Sequence, residues 1–185
     1  GLGVADVAFQ NGAAYAKDRL QMRSISGVKA PDKPADPIIV HPDIRRMLMQ
    51  AKAFTEGARA LALETGLKLD FAHKHPDPAT RRECEDFVAL ITPMLKAYLT
   101  DMGYETATNA QQMLGGHGYI REWGMEQFVR DARIAMIYEG ANGVQALDLV
   151  GRKLPEGMGR LLRAFFHALD RFIQENMADP KLAKD

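Results

Sequence analysis

Two short stretches hold residues whose types and spacing suit chemistry at a cleft. Gln112-Met113-Leu114-Gly115-Gly116-His117-Gly118-Tyr119 places three glycines within four residues. Glycine admits backbone conformations closed to other residues and lets another molecule approach the main chain closely. The same spacing also fits an ordinary helix C-cap. Ile137-Tyr138-Glu139-Gly140 sets a carboxylate beside a second break, where it can project into a cleft, although the residues alone favour a solvated glutamate. Other signatures of chemistry are missing. There is no P-loop, no Cys-x-x-Cys pair and no His-Glu-x-x-His. His41, His73, His75, His117 and His167 have no metal-ligand spacing, so no metal is expected.

These residues need helices to position them. An Ala-rich segment from about Val4 to Met22 has helical propensity. Residues 24–42 carry Pro31, Pro34, Pro37 and Pro42 and read as a loop. Pro42-Asp43 then opens a helix whose apolar residues Ile44, Met47, Leu48, Ala51, Phe54, Ala58 and Leu61 recur every three or four positions. That helix is expected to reach about Phe71. Asp77 is the expected N-cap of the next helix, with Phe87, Leu90, Ile91, Met94, Leu95 and Tyr98 on one face. Pro93 is expected to kink or divide it, with Thr92 capping the second part. Residues 122–138 read as a helix followed by a turn, and Val144 to Val150 as a further helix. Leu161 to Ile173 form a last, strongly amphipathic helix. No segment sustains strand alternation. The expected fold is therefore all-α, an antiparallel up-and-down helical bundle.

Composition bounds the function. The 185 residues suit about one domain, and 46% hydrophobic with 26% charged residues exclude disorder. Lys plus Arg equals Asp plus Glu at 24 each, which gives no footprint for nucleic acid. No apolar run approaches the roughly 20 residues of a membrane span. The single Cys84 forbids an intrachain disulfide and reads as a solvated or half-buried thiol. Ten methionines read as core filler. A cytoplasmic piece of a longer protein is the expected setting.

Read together, the motifs resemble the acyl-CoA dehydrogenase family, in its C-terminal helical domain, across nearly the whole chain. Gln112, Gly115, Gly116, Gly118 and Tyr119 fit that family's Gln-x-x-Gly-Gly-x-Gly-Tyr motif. Ile137-Tyr138-Glu139-Gly140 fits the motif of its catalytic base, Arg130-Asp131-Ala132-Arg133 the segment between, and Tyr15-Ala16-x-x-Arg19 the end of its first helix. His41-Pro42-Asp43-Ile44-Arg45-Arg46-Met47 with Gly116 to Gly124 is similar to a subgroup that contains 3-methylthiopropanoyl-CoA dehydrogenases and related long-chain members with an extended C-terminus.

The resemblance implies an FAD-dependent dehydrogenase acting on an acyl-CoA thioester, with Glu139 as the base that removes the α-proton. It implies that Arg19 reaches the FAD pyrophosphate of a neighbouring subunit, with Gln21 near the same contact. Gln112, Met113, Leu114, Gly115 and Gly116 correspond to the segment beside the adenosine half of FAD. Tyr138 is placed near the isoalloxazine and Gly140 against the substrate. Ala141 stands where the family usually has a flavin-binding Thr, leaving Asn142 to substitute for it. Met22-Arg23 replaces a frequent Phe-Gly, and the following loop is longer than the common form. Residues 1–154 are expected to form the family domain, and 155–185 an additional helix that starts an extension. Electron-transfer flavoprotein is the implied acceptor, and a homodimer or homotetramer the implied assembly. The fragment alone is expected to be inactive. Two alternatives stay open: another flavoenzyme on this fold, such as a nitroalkane-oxidase-like or alkylation-response protein, and a non-enzymatic helical interaction module.

Overall fold

The computed structural model describes residues 1–179. Among them the chain is all-α, without named strands: α1 (Leu2–Asp18), α2 (Pro42–Lys74), α3 (Pro78–Met113), α4 (Gly116–Tyr119), α5 (Met125–Ala135), α6 (Asn142–Asp148) and α7 (Glu156–Asn176). The chain divides into two compact units. Gly1–Leu61 with Lys96–Asn142 forms the first, and Ala62–Leu95 with the chain from Gly143 onward forms the second. Both units draw on α2 and α3, whose middles mark the division.

In the first unit, α1 runs antiparallel to the first part of α2, and that part antiparallel to the second part of α3. Ala5 packs with Phe54 and Ala58, and Arg59 pairs with Asp6 at 2.6 Å. Gln50 bonds Glu105, and the Phe54 and Tyr98 rings meet edge to face at 6.0 Å. Small residues let α1 and α3 approach closely. Ala8, Ala16, Ala107 and Ala110 are fully buried, and a Cβ on Gly12 would meet Met113 Cε at 3.0 Å. Met47, Leu48, Leu114, Met125 and Ala132 complete this core. Burying Met125 contributes about 1.5–3 kcal/mol by transfer from water.

The second unit pairs the end of α2 with the start of α3 and adds α7. Leu161 on α7 is 1% exposed, Arg160 pairs with Asp86, and Arg171 lies 3.6 Å from Glu83. Asp77 caps α3 as expected: its carboxylate accepts Ala79 N–H (3.2 Å), Thr80 N–H (3.0 Å) and the Thr80 hydroxyl (2.7 Å). Those bonds, the Thr80 hydroxyl foremost, lower its pKa.

Several expectations are corrected. Helix α1 ends at Asp18 rather than Met22, because Leu20 leaves to form a bridge with Pro37. Pro93 does not divide α3, which runs unbroken from Pro78 to Met113. Pro93 and its neighbours Leu90 and Ile91 are buried, so packing outweighs the missing N–H. Thr92 is no cap; its hydroxyl donates back to the Val88 carbonyl at 2.7 Å. Cys84 is buried at 3% exposure, since it shares the face of Phe87 and Ile91 at spacings of three and seven. Methionine is core filler only in part: Met47, Met113 and Met125 are buried, whereas Met22, Met49, Met158 and Met177 are exposed. Leu154 and Pro155 form a turn before α7, and Gly157, Met158 and Gly159 beyond it all have positive φ. The stretch expected over 155–185 is seen only to Asp179.

Candidate functional site

Both motifs lie in the first unit, at helix ends. The first begins where α3 stops. Leu114 is buried, and Gly115 turns the chain with φ +57 and ψ −137, a conformation that favours glycine. Gly118 returns to touch the helix it left. Its N–H donates to Gly115 O (3.0 Å), its carbonyl accepts from Gln111 Nε2 (3.2 Å), and a Cβ there would collide with the Gln111 carbonyl. His117 is fixed from two sides. Its Nδ1 bonds the Tyr15 hydroxyl (2.9 Å), and its ring stacks on Trp123 at 4.6 Å.

Facing this turn is the loop after α1. Arg19 has extended backbone there, and it and Gln21 are held against the returning segment by Ile38 N–H to Arg19 O (2.9 Å) and Gln21 N–H to Asp36 O (3.0 Å). Asp36 organises the whole loop. It is fully buried, and its carboxylate accepts the N–H groups of Ser24 (2.9 Å), Lys29 (2.9 Å) and Ala30 (2.7 Å). Arg23 adds a bond to Asp36 at 3.3 Å and donates to the carbonyls of Ala30 and Lys33. The Ser24 N–H is the largest influence, followed after the opposing effect of burial by Ala30, Lys29 and Arg23, and the carboxyl falls from 3.8 to about 2. Sequence reasoning passed over Asp36. Its only signal was an acid amid prolines in a loop too long to be left unfolded.

Between these two walls lies a cavity of about 470 Å³, lined by Arg19, Gln21, Gln112, Met113, Leu114, Gly115 and Gly116 together with Tyr15, His41 and His117. Seven of the residues expected at a cofactor therefore meet in one place. His41 helps to shape it, with Nε2 bonded to the Gln21 carbonyl at 2.9 Å. Among the described residues, the side chains of Arg19, Gln21 and Gln112 have no hydrogen-bond or ion-pair partner. An unpaired guanidinium, two free amides and a glycine turn open to solvent suit a phosphate-bearing ligand. A second hollow of about 440 Å³ adjoins the first and shares Tyr15, Arg19, Leu114 and His117 with it.

The second motif lies at the end of α5 and does not line that cavity. Helix α5 closes with Ile137 N–H and Tyr138 N–H on the Ile134 carbonyl (2.9 and 3.1 Å). Glu139 then adopts φ +53 and Gly140 φ +85. A left-handed conformation is unusual for glutamate. Glu139 is exposed, and among the described residues neither its carboxylate nor its backbone N–H has a partner. Tyr138 beside it is half exposed. Asn142, expected as a stand-in flavin ligand, is bonded within its own unit. Its amide is committed to α3, bonding Lys96 Nζ (3.0 Å), Thr100 Oγ1 (3.0 Å) and Asp101 Oδ1 (2.8 Å), which leaves no side-chain donor for a flavin.

Comparison with known proteins bears on this arrangement. The family model described as "Acyl-CoA dehydrogenase, C-terminal domain" matches residues 1–154. A 3-methylmercaptopropionyl-CoA dehydrogenase of Ruegeria pomeroyi is 46% identical over 165 residues, covering 89% of this chain and 27% of the relative. A butyryl-CoA dehydrogenase of Syntrophomonas wolfei is 32% identical over 183 residues, covering 99% of this chain and 29% of the relative. The crystal structure of Caenorhabditis elegans ACDH-11 in complex with C11-CoA shares the fold with a TM-score of 0.80 at 20% identity, over 97% of this chain and 28% of that one. The chain thus spans under a third of the length of these relatives. Its matched domain and its two motifs place it in the acyl-CoA dehydrogenase family, as a C-terminal domain of that family.

Proposed function

We propose that this chain is the C-terminal domain of an FAD-dependent enzyme that oxidises an acyl-CoA to its α,β-unsaturated thioester, with Glu139 as the base. The observation that carries the reading is the state of Glu139. A residue held in the left-handed region at an exposed turn, with both carboxylate and N–H free, is available to a substrate. Its carboxylate takes the α-proton, and its N–H donates to the thioester carbonyl as negative charge develops there. One residue thereby serves both ends of the developing enolate. Gly140 lets the thioester approach the backbone.

The residues around the 470 Å³ cavity fit FAD. Arg19 would bind a pyrophosphate oxygen, Gln21 and Gln112 would donate amide hydrogens, and Gly115-Gly116 would pass beneath the adenosine half. When bound, FAD supplies the acceptor for the β-hydride. The cavity and the Glu139 turn occupy different places in the unit, which suits a cavity serving the cofactor of a neighbouring subunit in a homodimer or homotetramer. Tyr138 would flank the isoalloxazine of the site that Glu139 serves. Electron-transfer flavoprotein is the proposed acceptor of the electrons. The identity to a 3-methylmercaptopropionyl-CoA dehydrogenase supports a short acyl chain. Residues 1–154 are proposed as the family domain and 155–185 as an added helix, and the domain alone is proposed to be inactive.

The test uses the full-length protein, mixed anaerobically with a panel of acyl-CoAs that includes 3-methylthiopropanoyl-CoA. One thioester is expected to bleach the flavin, and Glu139→Gln should slow that bleaching at least ~10²-fold. A flavin that no acyl-CoA reduces would reject the dehydrogenase reading in favour of another flavin reaction. A protein without flavin would point to an interaction module.

A further inference from the structure

The six residues 136–141 span from the end of α5 to the start of α6, with Glu139 among them. Their near end is held by the hydrogen bonds to Ile134, and their far end meets Asn142. The Asn142 backbone N–H donates to Met136 O (3.1 Å), which closes the loop on itself. Its side chain then ties the closed loop to α3. Lys96 Nζ donates to Oδ1 at 3.0 Å, and Nδ2 donates to Asp101 Oδ1 at 2.8 Å and to Thr100 Oγ1 at 3.0 Å. The Thr100 hydroxyl keeps its own proton on the Lys96 carbonyl at 2.7 Å, so it is free to accept. The charges fix the amide's orientation. An ammonium on one side requires the oxygen there, and a carboxylate on the other requires the NH₂. Thr100 is buried, so the tie is anchored in the packed part of α3 rather than at its surface.

We propose that Asn142, acting with Lys96, Thr100 and Asp101, is a positioning residue that holds the Glu139 turn at a fixed height over α3. This rests on the assignment of Glu139 as the base. A left-handed glutamate is not favoured locally, so the turn needs an outside restraint to keep it there. Two bonds to charged groups and one to a buried hydroxyl provide it. The aspartate and the lysine each select the same orientation of the amide, so together they reinforce it.

The experiment compares Asn142→Ala, Thr100→Val and their double variant with Glu139→Gln, in the full-length FAD-loaded enzyme. Flavin reduction by saturating acyl-CoA, KM, FAD content and Tm are read together. Asn142→Ala should lower the reduction rate at least about tenfold, since a misplaced group near the reacting atoms costs that much or more. KM should stay within about threefold and FAD content should be unchanged, because neither substrate nor cofactor touches the amide. Thr100→Val should produce a smaller loss in the same direction, and the double variant should be no slower than Asn142→Ala alone. If Asn142→Ala does not fold, Asn142→Asp and Thr100→Val carry the comparison. Asn142→Asp keeps the Lys96 bond, loses both donated bonds and should be slow. An unchanged rate in these variants, or a loss fully accounted for by lost FAD, overturns the positioning role while leaving Glu139 in place. Unchanged turnover in Glu139→Gln overturns the base assignment and the positioning role with it.

Discussion

Arg19 illustrates how a single residue can be judged from what it lacks. It is exposed, its backbone is pinned by Tyr15 O and Ile38 N–H, and its guanidinium has no acid beside it. Other cations of the same unit are paired, Arg59 with Asp6 and Arg23 with Asp36. Replacing Arg19 by Gln removes one charge-assisted bond of about 1.5–3 kcal/mol, so FAD should bind roughly 10- to 100-fold more weakly. Equilibrium dialysis of the full-length protein against FAD measures this, with an Arg19→Lys variant retaining charge but not the planar fork. An affinity equal to wild type would remove Arg19 from the cofactor contact. At this scale residue type alone left Glu139 and Arg19 open, and it was the resemblance carried by several ordered motifs that singled them out. It was uninformative for Asn142 and Asp36. A polar residue held by remote partners looks, in one dimension, like any solvated residue.

The loop between α1 and α2 shows what an element without regular hydrogen bonds needs. Its prolines remove donors, and a single buried carboxylate gathers those of Ser24, Lys29 and Ala30. The Asp36 pKa is depressed in the folded state, so its contribution to stability is complete above the unfolded value of 3.8 and is lost as pH falls through about 2. Proteolysis within 24–37 should therefore accelerate between those two pH values, ahead of the helices. Asp36→Asn should open the same segment at neutral pH, since an amide cannot replace an acceptor shared by three N–H groups and a guanidinium. Hydrogen exchange at Lys29 and Ala30 reads this directly, and protection equal to wild type would refute it. The helices themselves were legible from apolar spacing, with errors at their ends. The period of α2 gave its face correctly, whereas on α3 Met94 and Tyr98 of the expected apolar face are exposed and Cys84 is buried. The end of α1 was missed because Leu20 is drawn into a bridge with Pro37, seventeen positions ahead, which no local pattern reports.

At the scale of the whole chain, the division into two units predicts separable stability. Leu161 is among the most buried side chains, and it belongs to the second unit. Leu161→Ala should destabilise that unit by about 2–5 kcal/mol. Hydrogen exchange should rise in α7, in the end of α2 and in the start of α3. Around Gly115 and Asp36 it should change far less, because those residues lie in the first unit. Uniform loss of protection through both units would show a single cooperative structure instead. The all-α class followed from periodicity alone. The two-unit division did not, because helices α2 and α3 each run across it without a break in sequence pattern.

The left-handed backbone at Glu139 has a consequence for anyone selecting improved versions of this protein. Glycine relieves a conformation that an L-residue holds at about 1–2 kcal/mol. A library screened only for heat resistance should therefore enrich Glu139→Gly, and with it survivors that have discarded the proposed base. Screens on this fold need an activity filter at each round, since thermal selection at position 139 rewards the loss of the reaction.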